Sequence, residues 1–327
     1  MEKISLLIFS KDRDISNKVK KYKKYFDEIV IIDSSNEKIR KKLEKLKDKK
    51  IKYIWLPPLG MADFYYMIGL KECKYNWIFH IDDDEIISKS LLKNLRKIIK
   101  KAKVFKIRRK YKNGFSHETL FRLFNKKYIY PTGLIHYTWA SKIKNFLLLP
   151  EKLYIFHHER IEDPIKKFKR YILTESLQVG TKILDIVDDK YITWNSLYEK
   201  RKKMLKITYE LFSNFGKVGF LLFLILYIFN LHFFRFVYKI TRLKSALKDS
   251  FILIMEVLKN FHYKYLIYIF QHKFGVYRFL GLDSLEKFKK ISKKLNLGSD
   301  SLENLQKIYD YAIKKYYRWQ KGKIYFR

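Results

Sequence analysis

Apolar runs and amphipathic segments alternate along the N-terminal part of the chain. Residues 3–10, 28–34, 51–56 and 76–81 are short runs rich in aliphatic and aromatic residues, a pattern typical of strands buried on both faces. Each run is followed by a segment with apolar residues at the helical period, namely Ile15, Val19, Tyr22 and Phe26; Ile39, Leu43 and Leu46; residues 60–73; and Leu91, Leu92, Leu95, Ile98 and Ile99. These four strand–helix units predict an α/β fold with a doubly wound, mostly parallel sheet and right-handed connections.

The fourth apolar run ends in four consecutive carboxylates, Asp82, Asp83, Asp84 and Glu85. A buried strand cannot keep four unpaired anions at its tip, so we expect the cluster to be solvated or neutralised by a divalent cation. The strand period places Asp82 and Asp84 on one face, where they could share one Mg²⁺ or Mn²⁺. Ser88 is positioned to cap the next helix, which puts the cluster at the ligand-binding edge of an open sheet. An acidic loop that only caps the helix is the alternative.

Further motifs follow in a fixed order along the chain. The second strand ends in Asp33 followed by two serines, and the cluster that begins at Asp82 has the form Asp-x-Asp-Glu. An Arg-Leu-Phe sequence begins at Arg122, and a Gly-Leu-Ile-His sequence ends at His136. Over roughly residues 3 to 160 the chain therefore resembles the family 2 glycosyltransferases with the GT-A fold, most nearly the subgroup similar to lipopolysaccharide core glycosyltransferases.

The resemblance implies a role for each matching residue. Asp33 would contact the base or ribose of a nucleotide-sugar donor, with Ser10 at the end of the first strand in the same nucleotide site. Asp82 and Asp84 would hold the ribose and the Mn²⁺ or Mg²⁺ ion that bridges the donor diphosphate. Arg122 is the preferred phosphate contact, because a guanidinium group matches phosphate geometry; a surface arginine beside the cluster is the alternative.

The catalytic base has two candidates. An inverting glycosyltransferase needs a base that deprotonates the acceptor hydroxyl, and we predict either Glu118, four residues before Arg122, or His136. Glu118 could instead be a solvated turn residue, and His136 could be a core histidine, a third metal ligand or a phosphate contact. His157 and His158 end another predicted strand and are candidates for lining the same cleft.

Composition adds bounds on partners and compartment. The 327 residues carry a net charge of +38, which implies an anionic partner surface. The single cysteine, Cys73, excludes an intramolecular disulfide and agrees with a reducing compartment. The chain enters its first strand at once, so no cleaved signal peptide is expected. We predict a nucleotide-sugar-binding domain over residues 1–160, a helical extension over 161–215 and a membrane-associating helical region over 216–327.

The third region contains the longest apolar run of the chain. Residues 218–229 carry no charge, and Lys217 and Arg235 bracket the extended segment. A core helix, a spanning helix and an interfacial helix are all compatible with it, and the length and basic flanks favour the interfacial form. Two amphipathic basic helices are expected near residues 285–295 and 302–316. The residues expected to face the membrane are Phe220, Leu221, Leu224, Ile225 and Ile228.

Three functions fit these patterns. The first is a glycosyltransferase on the cytoplasmic face of a membrane, peripheral, monotopic or with one spanning helix, acting on a lipid-linked or other membrane-held acceptor. The second is a metal-dependent nuclease or phosphotransferase whose basic surface binds nucleic acid, and the third is a non-catalytic adaptor. The long apolar run favours the first, because nucleic-acid binding needs no such segment.

Overall fold

The computed structural model describes residues 2–46, 48–112, 114–131, 139–158, 277 and 280–324. The chain divides into two compact units, and the first comprises residues 1–161, 190–192 and 280–308. Every contact discussed below lies within this first unit. The domain boundaries expected after residues 160 and 215 stay predictions. The predicted membrane residues lie outside the described residues: Phe220, Leu221, Leu224, Ile225 and Ile228.

Four parallel strands form one half of the main sheet, as the sequence predicts. They are β1 (Ile4–Ser10), β2 (Glu28–Asp33), β3 (Ile51–Trp55) and β4 (Trp77–Asp82). Their order is β3-β2-β1-β4, so the chain winds outward from β1 to β3 and then returns to the other side of β1. Every residue of β1 is buried, because helices cover both faces of a parallel sheet.

The helices between these strands bury the apolar faces that the sequence predicts. The second helix begins after Asn36 and the fourth after Ser88, and each cap side chain accepts a backbone N–H of the first turn. The segment predicted to be helical from residue 60 begins later, because Gly60 has a φ of 86° and Met61 is extended. The elements are α1 (Ser16–Tyr22), α2 (Glu37–Glu44), a 3₁₀ turn (Ala62–Tyr65), α3 (Tyr66–Glu72) and α4 (Lys89–Ile98).

The other half of the sheet is mixed. Strand β7 pairs antiparallel with β4 and β6, and β11 pairs parallel with β6 and antiparallel with β5. With β10 on β6, the described residues form a nine-stranded sheet, and β8 and β9 form a separate pair. The bounds are β5 (Glu85–Ile87), β6 (Val104–Tyr111), β7 (Gly114–Asn125), β8 (Ile129–Pro131), β9 (Trp139–Ser141), β10 (Leu147–Leu148) and β11 (Ile155–His157).

Two C-terminal helices follow, α5 (Leu285–Leu295) and α6 (Ser301–Ile324). Phe288 of α5 is fully buried and meets the ring of Tyr65 edge-on at 5.5 Å. Asn304 Nδ2 donates to the carbonyl of Pro58 over 2.9 Å. The start of α6 and all of α5 therefore pack on the strand-rich part of the first unit. In the part of the chain that the structure describes, no helix has the length and apolar character needed to cross a membrane.

Candidate active site

The candidate site lies where the strand order reverses. Phe9 of β1 pairs with Asp82 of β4, and Ser10 pairs with Asp33 of β2, so all three predicted residues share the carboxyl edge of the sheet. The chain leaves β1 toward β2 on one side and reaches β4 on the other, which opens a crevice between the two connections. Open α/β sheets bind their ligands in such crevices.

The carboxylate cluster forms a turn between two strands, and this corrects the expectation that the cluster leads directly into a helix. Strand β4 ends at Asp82, two residues make the turn, and Glu85 begins β5. Glu85 is fully buried, and its Oε2 accepts the backbone N–H of Asp82 over 2.9 Å. Its Oε1 accepts from Arg109 Nε and Arg122 Nη2, each at 2.7 Å. Arginine thus neutralises part of the cluster, a solution that the carboxylate pattern alone does not indicate.

Arg122 holds Asp82 as well as Glu85. Its Nη2 lies 2.6 Å from Asp82 Oδ2, and Arg109 Nη2 lies 3.4 Å from the same oxygen. Burial opposes ionisation of Asp82, but the charges of Arg122 and Arg109 and the contact with His80 together outweigh it and hold the pKa of Asp82 well below its usual value. Because Nη2 of Arg122 faces two carboxylates, the observed contacts are those of an anchor for the cluster. A phosphate contact by Arg122 stays a prediction.

His80 is a functional candidate that the sequence analysis missed. It is fully buried, and its Nδ1 accepts from Trp139 Nε1 at 3.0 Å and lies 2.5 Å from Arg122 Nη1. Two donors at Nδ1 assign the ring proton to Nε2, which lies 3.4 Å from Asp82 Oδ1. Burial and the charge of Arg122 lower the pKa of His80 to about 4, so the ring is neutral at pH 7. Its only sequence signal is a polar residue inside an apolar strand.

Asp84 has a different environment. Its Oδ2 lies 3.6 Å from His157 Nε2, and its backbone carbonyl accepts the N–H of His158 over 2.8 Å. The expectation that the two histidines line the same cleft is thus met for His157. Asp84 Oδ1 and His157 Nδ1 are buried without a hydrogen-bond partner in the described structure. Burial and the negative charge of Asp82 raise the pKa of Asp84, while burial lowers the pKa of His157.

Asp33 is a fully buried side chain at the end of β2. Its Oδ1 accepts from Ser35 Oγ at 2.6 Å, and its Oδ2 accepts from Tyr53 Oη at 2.7 Å. Burial raises the pKa of Asp33, and these hydrogen bonds oppose the rise. Ser10 pairs with Asp33 in the sheet register, and its buried Oγ has no hydrogen-bond partner in the described residues. Both residues lie at the predicted edge, and their roles toward a nucleotide stay predictions.

Two lysines that the sequence analysis did not single out contact the turn. The backbone N–H of Lys11 donates to Asp83 Oδ2 over 2.8 Å, and Lys18 Nζ donates to the backbone carbonyl of Asp83. Burial lowers the pKa of Lys18, and the charge of Asp83 opposes this. Lys18 thus places a half-buried ammonium group beside the carboxylate turn.

The two predicted bases stay predictions. Glu118 belongs to β7, but its side chain lies outside the described residues, as does all of His136. Among the residues that are described, no group of three or more His, Cys, Asp or Glu side chains is arranged to hold a metal ion. A third protein ligand such as His136 therefore stays a prediction.

Comparison with solved structures gives remote likenesses. The chain is similar to the crystal structure of S. aureus TarS, with 17% identity, 81% of this chain and 55% of that chain covered, and a TM-score of 0.41. It is also similar to S. aureus TarS 1-349 in complex with UDP-GlcNAc, with 13% identity, 88% and 92% coverage and a TM-score of 0.42. The 4-diphosphocytidyl-2C-methyl-D-erythritol synthase of Anaerococcus prevotii DSM 20548 gives 13% identity, 53% and 99% coverage and a TM-score of 0.33.

Comparison with protein-family models gives a more specific result than comparison with solved structures. No curated protein matches the chain. The model of the family described as Glycosyl transferase family 2 matches residues 14–159. This range contains Asp33, the turn from Asp82 to Glu85, Arg122 and His157, which the structure places along one crevice and its supporting layer. Over residues 14–159 the chain is therefore similar to the enzymes of glycosyltransferase family 2.

Proposed function

We propose that the chain transfers a sugar from a nucleotide-diphosphate-sugar donor to a lipid-linked or other membrane-held acceptor, with a divalent cation and with inversion. The observation that carries this proposal is Asp84, whose Oδ1 is buried without a partner at the crevice of a family 2 domain. Buried carboxylate oxygens are costly unless a positive group binds them. A donor diphosphate and its cation would supply that group.

The two carboxylates fit Mn²⁺ or Mg²⁺ bound together with a diphosphate. Mg²⁺ usually keeps several waters and takes only one or two carboxylates plus substrate phosphates. Asp84 offers an unpartnered oxygen, and Asp82 is kept ionised by Arg122. When bound, the cation would stabilise the negative charge that develops on the leaving nucleoside diphosphate.

The remaining roles follow from position. Asp33 and Ser10, at the ends of adjacent strands, would bind the nucleoside, and Lys18 would add positive charge toward the diphosphate. Glu118 or His136 would deprotonate the acceptor hydroxyl on the opposite face of the sugar. Arg122 and Arg109 would act on the reaction mainly by fixing Asp82.

Within the family, we infer membership of the subgroup similar to lipopolysaccharide core glycosyltransferases. The Asp-x-Asp-Glu motif at Asp82, the Arg-Leu-Phe sequence at Arg122 and the Gly-Leu-Ile-His sequence ending at His136 support this. The acceptor would then be a saccharide carried on a lipid and held at the cytoplasmic face of a membrane. The apolar run at residues 218–229, its basic flanks and the net charge of +38 support attachment to an anionic membrane surface.

A donor panel tests the transferase proposal. Purified protein with Mn²⁺ should be stabilised by one nucleotide sugar and should hydrolyse it slowly in the absence of acceptor. Asp84→Asn should lower hydrolysis and transfer by about 100-fold or more, because it weakens the hold on the cation, whereas the exposed Glu37→Gln should have no effect. Full activity of Asp84→Asn at saturating Mn²⁺ would refute the metal assignment. Glu118→Gln and His136→Gln in the same assay identify the base, which should lose rate but keep donor affinity.

Fractionation tests the membrane proposal. Half-burying the large apolar side chains of the run would stabilise attachment by on the order of 10 kcal/mol, whereas each nearby basic residue adds about 1 kcal/mol. High salt should therefore fail to release the full chain, and detergent should be needed. Changing Leu221, Leu224, Ile225 and Ile228 to Ser should release it. If both forms are soluble and monodisperse without detergent, the run is a core helix.

A further inference from the structure

A cavity of about 440 Å³ lies at the outer edge of the sheet, away from the turn at Asp82 to Glu85. It is bounded by the edge strand β3, by α2 and by the lysine-rich helix α5. Its volume falls within the range of sites for small ligands, which is about 300–1,000 Å³. Nothing in the proposed transfer reaction uses it. The lining residues that matter here are Arg40, Tyr53, Trp55, Phe288, Lys289 and Lys293.

The strand side of the cavity is an aromatic wall held in place by hydrogen bonds. Trp55 Nε1 donates to the carbonyl of Ser35 over 3.0 Å, and Tyr53 Oη donates to Asp33 Oδ2. The guanidinium group of Arg40 lies 4.5 Å from the centre of the Trp55 ring. Its Nε also donates to Glu44 Oε1 over 3.0 Å. The wall is therefore organised before any ligand arrives.

The helix side is cationic. Lys289 and Lys293 are one helical turn apart on α5 and face the cavity, and neither forms an ion pair in the described residues. Like charges at this spacing repel each other. Two other lysines of the same helix differ, because Lys287 pairs with Asp283 and Lys290 pairs with Glu286, each at 2.8 Å. Glu44 is the acidic lining residue, and Arg40 already satisfies it.

We propose that this cavity is a second ligand site, which binds a phosphate group between Lys289 and Lys293 and packs the rest of the ligand against Trp55. An anion there would relieve the repulsion between the two lysines, and lysine binds phosphate as a point charge. The ligand is either a soluble phosphate ester or the phosphate headgroup of a lipid. Tyr53 lines the cavity and donates a hydrogen bond to Asp33. A ligand in the cavity can therefore affect the position of Asp33 on the nucleoside side of the donor crevice.

Calorimetry on the full chain in detergent, with inorganic pyrophosphate and with EDTA present, tests the site. EDTA removes divalent cations and so silences cation-dependent binding in the donor crevice. The double variant Lys289→Gln/Lys293→Gln should weaken pyrophosphate binding by about tenfold or more. The double variant Lys287→Gln/Lys290→Gln removes the same charge from the same helix outside the cavity, and it should change the affinity by less than about twofold. Pyrophosphate should also quench tryptophan fluorescence, and Trp55→Phe should abolish that quenching.

A second arm distinguishes the two sources of phosphate. Short-chain phosphatidylglycerol and phosphatidylcholine, added to the protein in detergent, are compared on each double variant, because the apolar run would hold every variant on a vesicle. Loss of phosphatidylglycerol binding in Lys289→Gln/Lys293→Gln alone would identify a lipid headgroup as the ligand, and loss of pyrophosphate binding alone would identify a soluble ester. Equal losses in the two double variants, or no effect of the cavity variant on either probe, would overturn the proposal. Thermal unfolding of both variants checks that each is folded.

Discussion

Asp82 and Asp84 are two residues apart, yet their surroundings shift their pKa values in opposite directions. Asp82 lies against Arg122 and Arg109, which hold its pKa well below the usual value. Asp84 has a histidine 3.6 Å away and an oxygen without a partner, and burial raises its pKa. One carboxylate is thus charged before any ligand binds, and the other gains most from a positive ligand.

His80 accepts a hydrogen bond from Trp139 and contacts Arg122. His80→Phe leaves the indole N–H and one guanidinium nitrogen without this buried acceptor, and should lower the free energy of unfolding by about 2–3 kcal/mol. His80→Asn can keep an acceptor near Nδ1 and should cost less. Urea unfolding of the three proteins measures the difference. Equal stability of the two variants would mean that the acceptor at Nδ1 contributes little.

At the scale of elements, the packed position of α5 depends on the short segment that precedes this helix. Gly281 has a φ of +76°, a conformation that residues with a Cβ rarely adopt. A Cβ there would lie 1.9 Å from Ile291 Cδ1, on the buried face of α5. Glycine therefore favours the turn of the chain into α5 at this position.

Gly281→Ala should lower the free energy of unfolding by about 1–3 kcal/mol, since it strains the backbone and displaces Ile291. Gly298→Ala is the matched control, because no atom lies within 4 Å of the position that its new methyl group would take, and its φ is not in the left-handed region. Thermal unfolding of the two variants gives the comparison. A stable Gly281→Ala protein would show that α5 can shift to accept the methyl group.

Some of these elements could be predicted from the sequence, and others could not. The four parallel strands are predictable, because runs such as residues 4–10 are apolar apart from two serines, a pattern typical of strands buried on both faces. The turn after Asp82 is less predictable, because aspartates favour turns but do not show that a short strand, β5, follows. The contact between Arg109 and Glu85 is not predictable either, because Arg109 belongs to β6 and lies 24 residues further along the chain. The pairing of β6 with β7 and of β11 with β5 brings such groups together, and pairing between distant strands leaves no local pattern.

At the scale of the molecule, contacts between distant parts of the chain hold the first unit together. Asn304 reaches Pro58 across 246 positions, and Lys71 donates to the carbonyl of Asp283 across 212. The unit that contains the candidate site therefore includes residues far beyond the family match. Loss of the C-terminal helices should weaken the N-terminal part of this unit, because it uncovers Tyr65 and the edge strand β3.

Cys73 provides a direct measure of this coupling. It follows the last residue of α3, is buried, and is the single cysteine of the chain, and burial raises the pKa of its thiol well above the usual value. Iodoacetamide reacts with the thiolate, so the native protein should resist labelling even at pH 9, whereas in urea the rate should rise about tenfold per pH unit below the normal thiol pKa. Gly281→Ala should label faster than wild type in native buffer, and Gly298→Ala should not, because only the first loosens α5. Mass spectrometry after timed quenching gives the rates. Rapid labelling of the wild-type protein would contradict the burial of Cys73. Equal rates in both glycine variants would show that the packing of α5 does not stabilise the strand-rich part.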